Sequence, residues 1–155
     1  MGAADQTILT QPDSAVDRVA CHTGGRGADV VFEAAGGTSS DTLKMAVDLV
    51  MPGGTIAVLG AFAGDMSLPY RLANRKEITL KFCNGYATWQ GRREFRIALD
   101  LIEEGQVDAR QLVTHRFALN DSAEAFRTAA DKERSGAIKV MLTPQPPTGS
   151  LADAK

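Results

Sequence analysis

The residues able to do chemistry in this chain are few and widely spaced. Glu33 lies in an apolar run, Asp29–Ala35, where a carboxylate must be paired, hydrogen-bonded or shifted in pKa. It either holds a loop or borders a ligand, and the run alone does not choose between them. Lys139 stands in the apolar segment AIKVML, as an ordinary solvent-facing position or as a phosphate contact. His22 and His115 are the only histidines, and neither has a cysteine or second histidine at metal-ligand spacing. His115, alone in a strand pattern, reads as a hydrogen-bonded structural group ahead of a catalytic one. Cys21 and Cys83 fit no C-x-x-C pattern and are expected to be buried free thiols. The chain contains no G-x-G-x-x-G, G-x-x-x-x-G-K-[ST], H-E-x-x-H or G-x-S-x-G. Neither a catalytic set nor a protein-made metal site is expected from these residues.

The elements that must position them centre on residues 27 to 64. Asp29–Ala35 and Thr55–Ala61 are short apolar runs flanking a helical pattern, Leu43, Ala46, Val47 and Val50, that follows candidate caps Ser39, Ser40 and Asp41. Strands apolar on both faces belong in a parallel sheet covered on both sides, and the helix between them is the crossover. Both runs end in glycine, at Gly36–Gly37 and at Gly60–Gly64 with small residues between, and small residues at the carboxyl ends of parallel strands leave room for a ligand. Upstream, Gln6–Leu9 is a strand candidate, followed by a helix starting at Asp13 or Ser14. The turn Thr23–Gly27 lies between a helix and a strand, which makes it a helix cap; a phosphate loop lies between a strand and a helix. Downstream come a proline-containing connection, Asp65–Lys76, and Ile78–Asn84, whose alternation predicts a sheet-edge strand. Arg92–Glu104 is a helix with Phe95, Ala98, Leu99 and Ile102 inward and Gly105 as terminator. Val113–Leu119 and Ala137–Thr143 are strands, separated by a helix capped at Asn120 or Asp121 with Ala123, Phe126 and Ala130 inward.

At 155 residues the length suits about one domain, assigned to 1–143, with a proline-rich tail, 144–155, expected to be disordered. Seventeen basic against 19 acidic residues give a net charge of −2, with no basic field for nucleic acid or anionic lipid. No apolar run approaches the ~20 residues of a membrane helix. A cytoplasmic, reducing setting is the expectation.

Four segments taken in order, GADVVFEAAGG, MPGGTIAVLGAF, NRKEITLKFCNGY and ALDLIEEGQVDARQLVTHRFALNDSAEAFRTAADKERSGAIKVML, resemble the C-terminal part of the zinc-containing medium-chain alcohol, sorbitol and threonine dehydrogenases. The resemblance implies an α/β fold: part of a doubly wound, mostly parallel Rossmann-like sheet flanked by helices, without its first two strands and glycine fingerprint. It implies NAD or NADP as cofactor, with zinc belonging to the part of the family that precedes the match, and no catalytic residue to carry over. Glu33, Ala34, Ala35 and Gly36 resemble the strand end beside the riboses. Leu59, Gly60 and Ala61 resemble the segment whose backbone meets the nicotinamide carboxamide, and Phe82 and Asn84 its partner segment. Lys139 matches a position often basic near the pyrophosphate. Lacking the phosphate-holding turn, the chain is expected to bind dinucleotide weakly or not at all and to be inactive alone. The alternative is a non-catalytic α/β association or binding module. To complete the sheet, Gln6–Leu9 is expected to pair with Val30–Ala34, or two chains to complete each other. The Ile78–Asn84 edge resembles the family's dimer edge, so a homodimer or larger homo-oligomer through an exposed strand edge is expected.

Overall fold

The computed structural model describes residues 4–8 and 12–144, and these form two units, one reaching Ala87 and one beginning at Thr88. The expected tail lies outside the described residues from position 145 onward.

The first unit starts with helix α1, Pro12–His22. The glycine-rich turn after it is the expected cap: Thr23 Oγ1 donates to Val19 O at 2.7 Å and accepts from Gly27 N at 3.0 Å. Cys21, expected to be buried, is exposed, and both cysteines are free. Strand β1, Ala28–Glu33, helix α2, Asp41–Leu49, and strand β2, Val50–Val58, make the expected βαβ unit. Strand β2 begins at Val50, ahead of the expected Thr55, with Pro52 and Gly53 in its irregular first half. Residues expected to be plain connection form helix α3, Tyr70–Arg75, with Pro69 at its N-cap. Strand β3, Thr79–Phe82, follows, and the sheet runs β1-β2-β3, all parallel, with β3 at an edge as its alternation predicts.

The core lies on one face of this sheet. Leu43, Ala46 and Val47 of α2 and Ala73 of α3 pack with Val50, Ile56 and Val58 of β2, joined by Val31 and Leu80. The other face departs from expectation. Val30 is 48% and Phe32 69% exposed, so β1 is apolar on both faces but covered on one. The expected pairing of Gln6–Leu9 with β1 is absent too: residues 6–8 form no strand, and Leu9 lies outside the described residues. Residues 6 and 7 are exposed, so this short polar segment buries too little to offset the entropy of ordering it.

The second unit opens with a hairpin, β4, Thr88–Trp89, and β5, Arg92–Arg93, whose turn residues Gln90 and Gly91 both have positive φ. Helix α4, Glu94–Glu103, ends at Gly105 (φ 72°). Its apolar stripe, expected inward, is exposed: Phe95 at 68%, Leu99 at 38% and Ile102 at 43%. Strands β6, Val113–Ala118, and β7, Lys139–Thr143, form a two-stranded parallel sheet, too small to cover more than one helix. That helix is α5, Ser122–Ala130, which buries Ala125 and leaves Phe126, expected inside, 72% exposed. A four-residue turn, α6, Lys132–Ser135, ends at left-handed Gly136 and feeds β7.

Candidate active site at the strand ends

Parallel strands bring their carboxyl ends to one side, and here Glu33, Val58 and Phe82 stand in register across the sheet. The chains that leave β1 and β2 do not diverge. Glu33 O accepts from Leu59 N at 2.7 Å and Gly60 N at 2.9 Å. Beyond them, Gly37 N donates to Ala61 O and Ala63 N to Gly37 O, each at 2.9 Å. This close crossing is what the glycines allow. Gly36 has φ 62°, and a Cβ on it would strike Ala61 O and come within 2.7 Å of Ala61 N. A Cβ on Gly60 would strike Glu33 Oε2 and lie 2.8 Å from the Gly36 Cα. The space that a Cβ would take at Gly36 and Gly60 is therefore filled by the protein itself.

Glu33 is 4% exposed. Its Oε1 accepts from Ala35 N and Gly36 N, both at 3.1 Å, so this oxygen holds the turn. Oε2 is buried against Gly60 and has no hydrogen-bond partner. Beside Gly60 opens a cleft of about 530 Å³. Leu59, Gly60 and Ala61 line it from the end of β2, and Phe82, Cys83 and Asn84 from the end of β3. Phe62, Asp65 and Met66 complete the wall, in a loop tied to the start of α2 by Ser67 N donating to Ser40 Oγ at 3.0 Å. Leu59 is 50% and Phe82 72% exposed, so the cleft is open to solvent.

Leu59, Gly60, Ala61, Phe82 and Asn84 thus share one wall, with Glu33 and Gly36 packed behind it and Ala34 and Ala35 in the adjoining turn. Lys139 belongs to the second unit, where it is an exposed residue of β7. Sequence reasoning missed Phe62, Asp65, Met66 and Cys83; the only signals were the position of the first three beyond the predicted strand Thr55–Ala61 and that of Cys83 between Phe82 and Asn84. Chemically the cleft offers an aromatic face, an amide able to donate and accept, and backbone groups. These can hold a planar, polar-edged ring.

Shifted carboxylates lie elsewhere, on exposed helix starts. The Ser39 hydroxyl and then Lys44 hold Asp41 below the usual carboxylate range, and Arg110 with Gln111 holds Asp108 at about 2. Among the described residues no three His, Cys, Asp or Glu side chains gather where they could hold a metal. His115 Nδ1 lies 3.0 Å from Thr114 Oγ1, and its ring stacks on Phe117. The described residues do not fit a zinc site.

Residues 1–104 match the zinc-binding dehydrogenase family. An alcohol dehydrogenase of Cupriavidus necator is 32% identical over 146 residues, 91% of this chain but 37% of that protein. The 2R,3R-butanediol dehydrogenase of Bacillus subtilis is 27% identical, with a TM-score of 0.67 over 92% of this chain and 36% of its own. A zinc-binding dehydrogenase of Sinorhizobium meliloti, solved bound to NADP, shares the fold at a TM-score of 0.58 and 22% identity, over 77% of this chain and 32% of its own. The chain spans about a third of the length of these proteins. By sequence and by fold, it belongs to the zinc-binding dehydrogenase family.

Proposed function

We propose that this chain is the C-terminal, cofactor-facing part of a zinc-dependent NAD(P) alcohol dehydrogenase, an oxidoreductase moving hydride between an alcohol and NAD(P). The observation that carries this reading is the cleft in which Leu59–Ala61 face Phe82 and Asn84. NAD(P), when bound, supplies the hydride acceptor. The chain's own contribution is orientation: the Phe82 ring faces a flat group, while the Asn84 amide and the backbone at Leu59–Ala61 meet a carboxamide edge. Glu33 keeps that backbone in place through the 35–36 turn. No turn among the described residues joins a strand to a helix N-terminus with a glycine fingerprint, so the pyrophosphate lacks its usual anchor. Alone, the chain binds dinucleotide weakly and does not turn over alcohol. Titration with NADH and NADPH, followed by nicotinamide fluorescence, should show no saturation at micromolar concentration; micromolar affinity for either would overturn the weak-binding reading. The free thiols Cys21 and Cys83 support a reducing, cytoplasmic setting.

A second reading, a non-catalytic association module, is favoured by the open edge and face of β1. Sedimentation with and without NADH separates the two. NADH that co-sediments with the chain only at millimolar concentration supports the first; association with no bound nucleotide even there supports the second.

A further inference from the structure

We infer that the Asn84–Gly85 pair is a self-modifying site, where the Gly85 backbone nitrogen displaces the Asn84 amide and a carboxylate takes its place on the cleft wall. Asn84 lines the cleft just past the end of β3, and both residues are exposed. The reacting atoms belong to adjacent residues, so the site is complete within two positions of the chain. Attack by the nitrogen of residue 85 on Asn84 Cγ closes a five-membered ring, and a residue without a Cβ crowds that nitrogen least. Gly85 has φ 74°, and no atom lies within 4 Å of where its Cβ would stand. A hydrogen bond on either group would oppose the reaction by fixing it. The pairing of β3 with β2 ends at Cys83 N, which donates to Val58 O at 2.8 Å. Beyond it, among the described residues, neither the Gly85 N–H nor the Asn84 amide has a hydrogen-bond partner.

Gly85 N bonds to Asn84 Cγ, the Cγ–Nδ2 bond breaks, and ammonia leaves with the Gly85 amide proton. The product is a cyclic imide. Water then adds at one of its two carbonyls. Opening at Cγ gives aspartate, and opening at the Asn84 main-chain carbonyl gives isoaspartate, whose backbone is one carbon longer. Either product adds a negative charge to a wall that already holds Asp65, and removes a donor, since a carboxylate only accepts. On the function proposed above, a carboxamide oxygen then loses its partner at residue 84; that consequence rests on the proposed function, whereas the modification does not. The other asparagines, Asn74 and Asn120, lack these conditions. Asn74 lies inside α3 ahead of Arg75, and its carbonyl accepts from Glu77 N at 3.1 Å. Asn120 lies in the helical turn Leu119–Asp121, ahead of Asp121. A side chain on the following residue and a helical backbone keep both intact.

Incubation of the full chain in warm, mildly alkaline buffer, followed by tryptic peptide mass spectrometry, tests this. The peptide Phe82–Arg92 should gain about one dalton, with fragment ions placing the gain at Asn84, while Asn74 and Asn120 stay unchanged. Because nothing in the fold restrains the pair, the folded chain should react less than about fivefold slower than chain unfolded in guanidinium chloride. A larger gap between folded and unfolded rates would overturn the proposal, as would an equal gain at Asn74 or Asn120. Gly85→Ala, which crowds the attacking nitrogen, should slow the gain severalfold, and an unchanged rate would also overturn it. Asn84→Gln, whose ring would need six members, should show no gain at position 84 over the same time. If Gly85→Ala loses its circular dichroism, the comparison of folded with unfolded wild type decides.

Discussion

Gly60 is a glycine because of what stands opposite it. Its missing Cβ leaves the space that Glu33 Oε2 and the Gly36 backbone occupy, so Gly60→Ala must push two strand ends apart. We expect a loss of about 1–3 kcal/mol, read as a lower urea midpoint. Glu33→Ala strips the 35–36 turn of its acceptor and should cost a similar ~1–3 kcal/mol. Because the two residues touch, the double variant should lose less than the sum, the small side chain at 33 making room for the new methyl. A strictly additive result would mean that the contact is not what constrains Gly60. At Asp108 the prediction concerns pH. Arg110 and Gln111 hold its folded carboxyl at about 2, against an unfolded value near 4. Its contribution is therefore complete above about pH 4 and fades as the pH falls toward 2. The stability difference between the wild type and Asp108→Asn should shrink over that window, and its direct check is carboxyl NMR titration.

Among the elements, α2 depends on a residue far along the chain. Lys76 Nζ donates to Val47 O, Asp48 O and Val50 O at 2.8, 2.9 and 2.8 Å, capping the helix end where no basic residue lies in the last turn. Lys76→Met should cost about 1.5–3 kcal/mol, since hydrogen bonds to a charged group are lost and carbonyls are left unpaired. Lys44→Met, which breaks only an exposed pair with Asp41, should stay within ~0.5 kcal/mol; chemical denaturation distinguishes the two. The sequence announces α2 through its apolar stripe and caps, yet it cannot announce Lys76, because the spacing to its acceptors is set by the fold. β1 and β2 were legible as apolar runs, and β3 by alternation. Helix α3 was not: six residues after a proline give too short a period to recognise. Nor was the open face, since Val30 and Phe32 read the same whether their own chain covers them or not. At the candidate site, the strand-end positions were legible, but the use of Gly36 and Gly60 for chain crossing was not. A glycine in sequence does not say whether its empty space goes to a ligand or to backbone.

For the molecule as a whole, Val30 and Phe32 leave apolar surface open on one face of β1. The Lys76 cap carries a different consequence, for the order in which the chain is made. Its acceptors lie 26 to 29 residues earlier, so a nascent chain that has emerged only as far as β2 holds a helix with an unfinished end. The first βαβ unit is then sealed by a residue from outside it. A pause in translation that holds position 76 inside the ribosome would prolong the time in which α2 frays, whereas a pause after it has emerged would not.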